Sequence, residues 1–296
     1  RLLAANSVPA LLLSGGEPTL HEDFSGYLRA CAELGLKITV STNGASLDDA
    51  RASEMADLVS YVGISVDGPR DVHDSFRGKT GSFDASLRSA RLLASLGCRV
   101  GLRVTMALPQ TDHLDEIFRI AESLPLSRIC FYHFMSSGRG ALDASLAPGK
   151  LTEDAAFRRV IDWADEIGRR AAGTDALEVL TVGDSSDSVR VYEHMTSRSA
   201  GAPEGTLRLM SAASGRIGGT GILSVRWDGI VYQNQFLWDR PMGNWRDMAL
   251  IAGTSDAGAA IAEECVSCLW RERKICSSRV GGFGGSCHVR EHGSEI

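Results

Sequence analysis

Long apolar runs are missing from this 296-residue chain. No uninterrupted apolar stretch would span a bilayer, and residues 1–10 lack the apolar core of a secretory signal, so neither a membrane protein nor a secreted one is expected and the cytoplasm is the predicted location. Positive charge is also scarce: 31 Lys and Arg face 37 Asp and Glu, for a net charge of −6. Sequence-independent nucleic-acid binding needs a cationic surplus, and this chain has none. The seven cysteines are odd in number and unevenly placed, which argues against a disulfide framework. An initiator Met is absent too. The chain starts at Arg1 and reaches a strand-like run at 10–13 almost at once, which reads as an internal cut. A hydrophobic content of 44% supports a sizeable core, in one large α/β domain or two smaller ones.

What is present is strand–helix alternation. Residues 10–14 are a short apolar run ending at Gly15 and Gly16. Residues 23–35 carry Phe24, Tyr27, Leu28, Cys31 and Leu34 at helical spacing and close on Gly35. Further strands are predicted at 37–41, 61–66, 99–106 and 128–134, and helices at 48–58, 83–96, 114–124 and 152–172. Such alternation makes a parallel sheet with right-handed crossovers, and the spacing suits a barrel or half-barrel with its site at the C-terminal strand ends. Residues 183–221, rich in Ser, Gly and charge, read as loop with room for one short helix. Residues 222–226 and 230–233 flank Trp227, Asp228 and Gly229 as a β-hairpin.

The strand ends are unusually polar. Ser14, Gly15, Gly16, Glu17 and Pro18 follow the first strand, Ser41 and Asn43 end the second, Ser65 and Asp67 the third, and Arg103 and His133 lie in the fourth and fifth. Singly, each reads as a cap or turn; together they converge on one rim and form a candidate site. Two glycines let a ligand approach the backbone, Pro18 fixes the turn, and Glu17 offers a carboxylate to an ammonium group. His133 suits a satisfied core histidine as well as a ligand contact, and His21 suits a helix-cap region. Cys31, Cys98 and Cys130 read as inert buried thiols.

Residues 13–21 (LSGGEPTLH), 41–44 (STNG) and 63–68 (GISVDG), with His73, Asp74, Phe76, Arg77 and Gly78, occur in an order and spacing that resembles the radical SAM (S-adenosylmethionine) superfamily, most fully over residues 9–140. The resemblance implies an α/β fold: a partial (β/α)6 radical SAM barrel lacking its first strand–helix unit, plus a small C-terminal β-hairpin and cysteine-rich module. It implies a truncated barrel core at 1–150, a helix and connecting segment at 151–220, and a SPASM/twitch-like auxiliary-cluster module at 221–296. It also implies SAM contacts from Gly15, Gly16, Glu17 and Pro18 around the amino group, and from Ser41, Asn43, Ser65, Asp67, Arg103 and His133 toward the carboxylate and ribose. The family's C-x3-C-x2-C loop, which holds the catalytic [4Fe–4S] cluster, occurs nowhere in the 296 residues and is expected upstream of residue 1.

A narrower resemblance adds to this. Residues 132–140 (YHFMSSGRG), residues 178–187 and the hairpin with its Gln233, Asn234, Gln235 and Phe236 are similar to the heme d1 biosynthesis radical SAM proteins (NirJ type) and their alternative-heme relatives. The Gln-Phe pair stands where many peptide-modifying relatives carry the first auxiliary-cluster cysteine, so one auxiliary iron–sulfur cluster is expected. Its ligands would come from Cys265, Cys268, Cys276 and Cys287. The two-residue spacer of Cys265 and Cys268 suits iron–sulfur or structural zinc alike. Phe283 stands where the family's corresponding segment starts with its third cysteine, which leaves the ligand set open. The implied chemistry is that of a 5′-deoxyadenosyl radical acting on a modified siroheme (a didecarboxysiroheme) whose propionates are removed, with electrons from a flavodoxin or ferredoxin. Arg77, Lys79, Arg139 and Arg226 are the candidate partners for that tetrapyrrole's carboxylates. Two other readings stay open: a peptide-maturing radical SAM/SPASM enzyme, and a non-catalytic zinc-stabilised binding protein on a decayed barrel.

The purified chain, reconstituted with iron and sulfide, is predicted to release no 5′-deoxyadenosine from SAM, because the three-cysteine spacing is absent; product in a chromatographic assay would contradict this. The same sample separates the two C-terminal readings. A brown protein that loses its absorbance in Cys265→Ala marks iron–sulfur, and a colourless one with tightly bound zinc marks the other.

Overall fold

The computed structural model describes residue 3 and residues 8–135, 138–171, 176–184, 186–198, 222–232, 235 and 241–246. The chain divides into two compact units, Arg1–Phe134 with Pro148–Val182, and Met135–Ala147 with Gly183–Ile296.

The first unit is an alternating series: β1 (Ala10–Leu13), α1 (Phe24–Glu33), β2 (Lys37–Thr42), α2 (Asp49–Leu58), β3 (Tyr61–Ser65), α3 (Arg70–Arg77), α4 (Ser82–Ser95), β4 (Val100–Met106), α5 (Leu108–Thr111), α6 (Leu114–Glu122), β5 (Arg128–His133), α7 (Lys150–Arg170) and β6 (Glu178–Val182). The strands pair in sequence order, β1 to β6, every pair parallel, which is the predicted α/β partial barrel. Local chemistry sets the helix starts. The Asp48 carboxylate accepts the Arg51 N–H at 2.8 Å and caps α2. Asp74, on α3, reaches forward to accept from the Gly81 and Phe83 N–H groups and the Ser82 hydroxyl, so one carboxylate caps α4 from outside.

Strand alternation divides the sheet into two unlike faces. The helix-covered face stacks Val40, Val62 and Val100 at one level, then Ile64, Leu102 and Ile129, then Val104 and Phe131. All are buried, and they pack with Leu28, Met55, Leu93, Phe118, Phe157 and Trp163 in one core. Phe118 lies parallel to Trp163 at 4.3 Å between ring centroids, with Phe131 edge-on to both. The inner face is polar and slim. Its levels are Ser41, Gly63, Gly101, Arg128 and Glu178; then Ser65, Arg103, Cys130 and Leu180; then Thr105, Tyr132 and Val182.

The second unit contains α8 (Ser186–Arg198) and an antiparallel sheet of β7 (Ser224–Val225), β8 (Ile230–Tyr232) and β9 (Pro241–Asn244). The predicted hairpin forms. Gly229 turns it at φ 86°, and the Asp228 carboxylate accepts the Ile230 N–H at 3.1 Å. A side chain at Gly229 would meet the Trp245 ring, with Cβ 2.7 Å from Cδ1. Four elements departed from the sequence reading, among them the short α5. β6 is a sixth barrel strand that periodicity did not separate from the loops around it. α3 has only Val72 and Phe76 as apolar guides. β9 begins at Pro241, a residue that weakens any strand signal. Among the described residues no helix is long and apolar enough to cross a membrane.

Gly101 tests the slim inner face. A Cβ there would strike the Tyr61 hydroxyl and lie 2.7 Å from the Arg128 carbonyl oxygen, a backbone atom that cannot step aside. Gly101→Ala is predicted to cost about 1–3 kcal/mol of folding stability by overpacking. Denaturant midpoints measure this, and an unchanged midpoint would contradict it.

Candidate functional site

The loop after β1 is held by its own carboxylate. Glu17 Oε1 accepts from the Thr19 N–H at 3.2 Å, the Thr19 hydroxyl at 2.7 Å and the Thr42 hydroxyl at 2.6 Å, and Oε2 accepts the Asn43 N–H at 2.7 Å. These four bonds lash the β1 loop to the end of β2. Glu17 is thereby a strut between strand ends, and its Oε2, with one hydrogen bond, keeps acceptor capacity. Gly15 and Gly16 remain open. A Cβ at either would meet nothing within 4 Å, and Gly15 has φ 134°, a conformation that favours glycine. Pro18 starts a single 3-10 turn, Pro18–Leu20. The Asn43 side chain accepts the Ala45 N–H at 2.8 Å and shapes its own turn.

A second carboxylate fixes the next strand ends. Asp67 is fully buried; its Oδ1 accepts the Thr105 N–H at 2.8 Å and its Oδ2 accepts from Arg77 Nε at 2.6 Å and Nη2 at 2.5 Å. Its own N–H donates to His73 Nδ1 at 3.0 Å. That bond requires a neutral His73 ring with its proton on Nε2. Burial pushes the His73 pKa below its ordinary value of 6.5, and it outweighs the upward pull of the Asp67 and Asp74 carboxylates, with Arg77 acting in the downward direction. Asp67 therefore positions β3 against β4 and presents no oxygen to solvent. Sequence reasoning named Asp67 and Arg77 separately. The D-x5-H spacing that closes His73 onto the Asp67 backbone was the missed signal.

On the inner face, Ser41, Ser65 and Arg103 occupy adjoining levels. The Arg103 guanidinium carbon lies 4.4 Å from the Tyr132 ring centroid, and Arg128 lies over the Tyr61 ring at 5.1 Å. The two cations differ in one respect. Arg128 pairs with Glu178 at 2.6 Å, whereas among the described residues no carboxylate pairs with Arg103. Its neighbours do not compensate it. Burial raises the pKa of the Tyr132 and Tyr61 phenols and of the Cys130 thiol, so all three stay neutral. Among the described residues Arg103 thus carries an unbalanced positive charge on the inner face.

The remaining expected residues lie elsewhere. His133 pairs in register with Met106 on the helix-covered face, is 4% exposed, binds Glu153 through Nδ1 at 2.7 Å and stacks on Phe157. A contact from it to a ligand on the inner face is not supported by that placement. Arg77 is committed to Asp67, and Arg226 pairs with Asp228 within its own hairpin. Lys79 lines a small cavity with Asp71, Asp74 and Thr80. The Arg139 side chain, and Cys265, Cys268, Cys276 and Cys287, lie outside the described residues. Among the described residues no cluster of His, Cys, Asp and Glu could hold a metal.

Comparison with known proteins agrees with this fold. Residues 1–121 match the Radical SAM superfamily. The chain is 33% identical over 294 residues to Fe-coproporphyrin III synthase of Methanosarcina barkeri, covering 93% of this chain and 71% of that protein. It is 28% identical over 243 residues to pre-heme d1 synthase of Dinoroseobacter shibae, covering 80% of this chain and 59% of the relative. Among solved structures, Streptococcus suis SuiB superposes with a TM-score of 0.66 at 17% identity, over 90% of this chain and 62% of that one. At that identity the likeness speaks to the fold.

The His73 bond predicts a pH dependence. His73 binds a proton less readily folded than unfolded, so its contribution to stability is complete above pH 6.5 and is lost as pH falls below that value. Denaturation midpoints between pH 8 and 5 should fall on the acid side. His73→Asn, which keeps a neutral acceptor, should flatten that fall, and an unchanged profile in the variant would contradict the assignment.

Proposed function

We propose that this chain, which belongs to the radical SAM superfamily, binds SAM across its strand-end rim and inner face and is part of an enzyme that, with the C-x3-C-x2-C loop these 296 residues lack, acts on a modified siroheme in heme d1 or alternative heme biosynthesis. The observation that carries the SAM reading is Arg103, a guanidinium with no carboxylate partner among the described residues, on the face where the strand ends also offer open glycine backbone. SAM brings a carboxylate, an ammonium group and a ribose. Arg103 suits the carboxylate by charge-assisted hydrogen bonding, the exposed backbone at Gly15 and Gly16 suits the ammonium, and Ser41 and Ser65 suit the ribose hydroxyls. Glu17, Asn43 and Asp67 hold these groups in place, and Pro18 sets the turn. When bound with a reduced [4Fe–4S] cluster, SAM supplies 5′-deoxyadenosyl radical chemistry. The protein's own part is to orient and to exclude water. The slim inner face, with Gly63 and Gly101 side by side at one level, leaves room above the sheet, and Asp67 and Glu17 keep the rim from moving under the ligand.

The tetrapyrrole reading is supported by the names of the two relatives reported above, one for Fe-coproporphyrin III and one for pre-heme d1. The domain reading is a barrel core at 1–150, a connecting segment at 151–220 and a module at 221–296 that holds one auxiliary iron–sulfur cluster. The four thiolates at 265, 268, 276 and 287 are soft donors that fit iron. A flavodoxin or ferredoxin would supply electrons.

Equilibrium dialysis tests the SAM reading. Arg103→Ala should weaken SAM binding by about 1–3 kcal/mol, the worth of a charge-assisted hydrogen bond. The substrate reading is tested by titrating didecarboxysiroheme into the chain and following its visible absorption. A saturable shift is expected. No shift, with binding of a precursor peptide instead, would move the reading to peptide maturation.

A further inference from the structure

An arginine side chain on an open sheet face has four rotatable bonds, and an anion site built on it gains from having them fixed in advance. Two neighbours fix Arg103. On β3, Gly63 lies one level below it, in register with Gly101. A Cβ placed on Gly63 would sit 2.7 Å from Arg103 Cδ and 3.1 Å from Cγ, so the stem of Arg103 occupies the space a side chain at 63 would need. On β5, Tyr132 lies one level above, with its ring centroid 4.4 Å from the guanidinium carbon. The stem is seated in a glycine gap and the head lies on an aromatic face.

We infer that Gly63 and Tyr132 are positioning residues that hold the Arg103 guanidinium for the carboxylate of the ligand's amino-acid part, an inference that rests on the SAM reading. Gly63 differs from Gly101 in what a methyl group would strike. At Gly101 the obstacles are the Tyr61 hydroxyl and a backbone carbonyl, that of Arg128; at Gly63 the close obstacle is the middle of a flexible side chain. Substitution at 63 should therefore spare the fold and move the arginine. Tyr132 acts through its π face while burial keeps its phenol protonated, so it steadies the guanidinium without cancelling its charge.

Two thioether probes separate positioning from general structure. S-adenosylhomocysteine carries the amino-acid carboxylate, and 5′-methylthioadenosine lacks it. By equilibrium dialysis, Gly63→Ala and Tyr132→Leu should bind S-adenosylhomocysteine roughly tenfold more weakly and 5′-methylthioadenosine within about twofold of the parent, as loss of one charged hydrogen bond requires. Tyr132→Phe, which keeps the ring, should bind both like the parent. In an Arg103→Ala background, Gly63→Ala should add nothing further. Equal losses for both probes, or an additive loss in that background, would overturn the positioning role and leave the SAM reading intact. Unchanged binding of both probes in every variant would overturn it as well. A parent chain that binds neither probe would overturn the SAM reading and this inference with it.

Discussion

A carboxylate with no access to water must be satisfied from within, and that requirement shapes this protein's functional end. Asp67 sits at the end of β3 with 0% exposure, and its oxygens are taken by the Thr105 backbone and the Arg77 guanidinium. Removing either partner would leave a buried charge unpaired, so β4 is held at one height against β3 and α3 is drawn back over the strand end. The height of β4 sets where Arg103 emerges. A neutral His73 completes the arrangement by accepting the Asp67 N–H, which makes the ring's protonation state part of the scaffold.

Glu17 does the same work between β1 and β2. Both acidic residues of the strand-end motifs therefore act inward, on Thr19, Thr42, Asn43, Thr105 and Arg77. In the proposed SAM site they leave for the ligand the backbone at Gly15 and Gly16, hydroxyls at Ser41 and Ser65, and one guanidinium with no carboxylate partner among the described residues. A rim built this way stays rigid without ligand, and a rigid rim loses little entropy when a small zwitterion binds. Internal carboxylates tie the strand ends together, and in the proposed site the cation is kept for the ligand.

The fold was legible because strand–helix alternation is a strong, repeated signal. Five of the six barrel strands and most helices of the first unit lie where apolar spacing placed them. β6 and α3 escaped because each is short and flanked by polar turns. The site was legible as a set of positions and less so as a set of roles. Motif order marked Glu17, Asp67 and Arg103, but only the third dimension shows that the two carboxylates are bonded to neighbouring strand ends while Arg103 has no carboxylate partner among the described residues. His133 illustrates the limit. It shares a strand with the inner-facing Tyr132, yet one residue of alternation sends it to the opposite face, against Glu153 and Phe157. Gly63 and Gly101 looked like ordinary strand glycines, and their reason appears only when the side chains that cross them are in view.

Amide hydrogen exchange with and without SAM tests the central claim most directly. If the rim and inner face bind SAM, ligand should slow exchange at amides of residues 14–17, 42–45 and 65–67 and along β4 near Arg103. Protection confined to the helix-covered side, at α6 or α7, with these strand ends unchanged, would contradict the account.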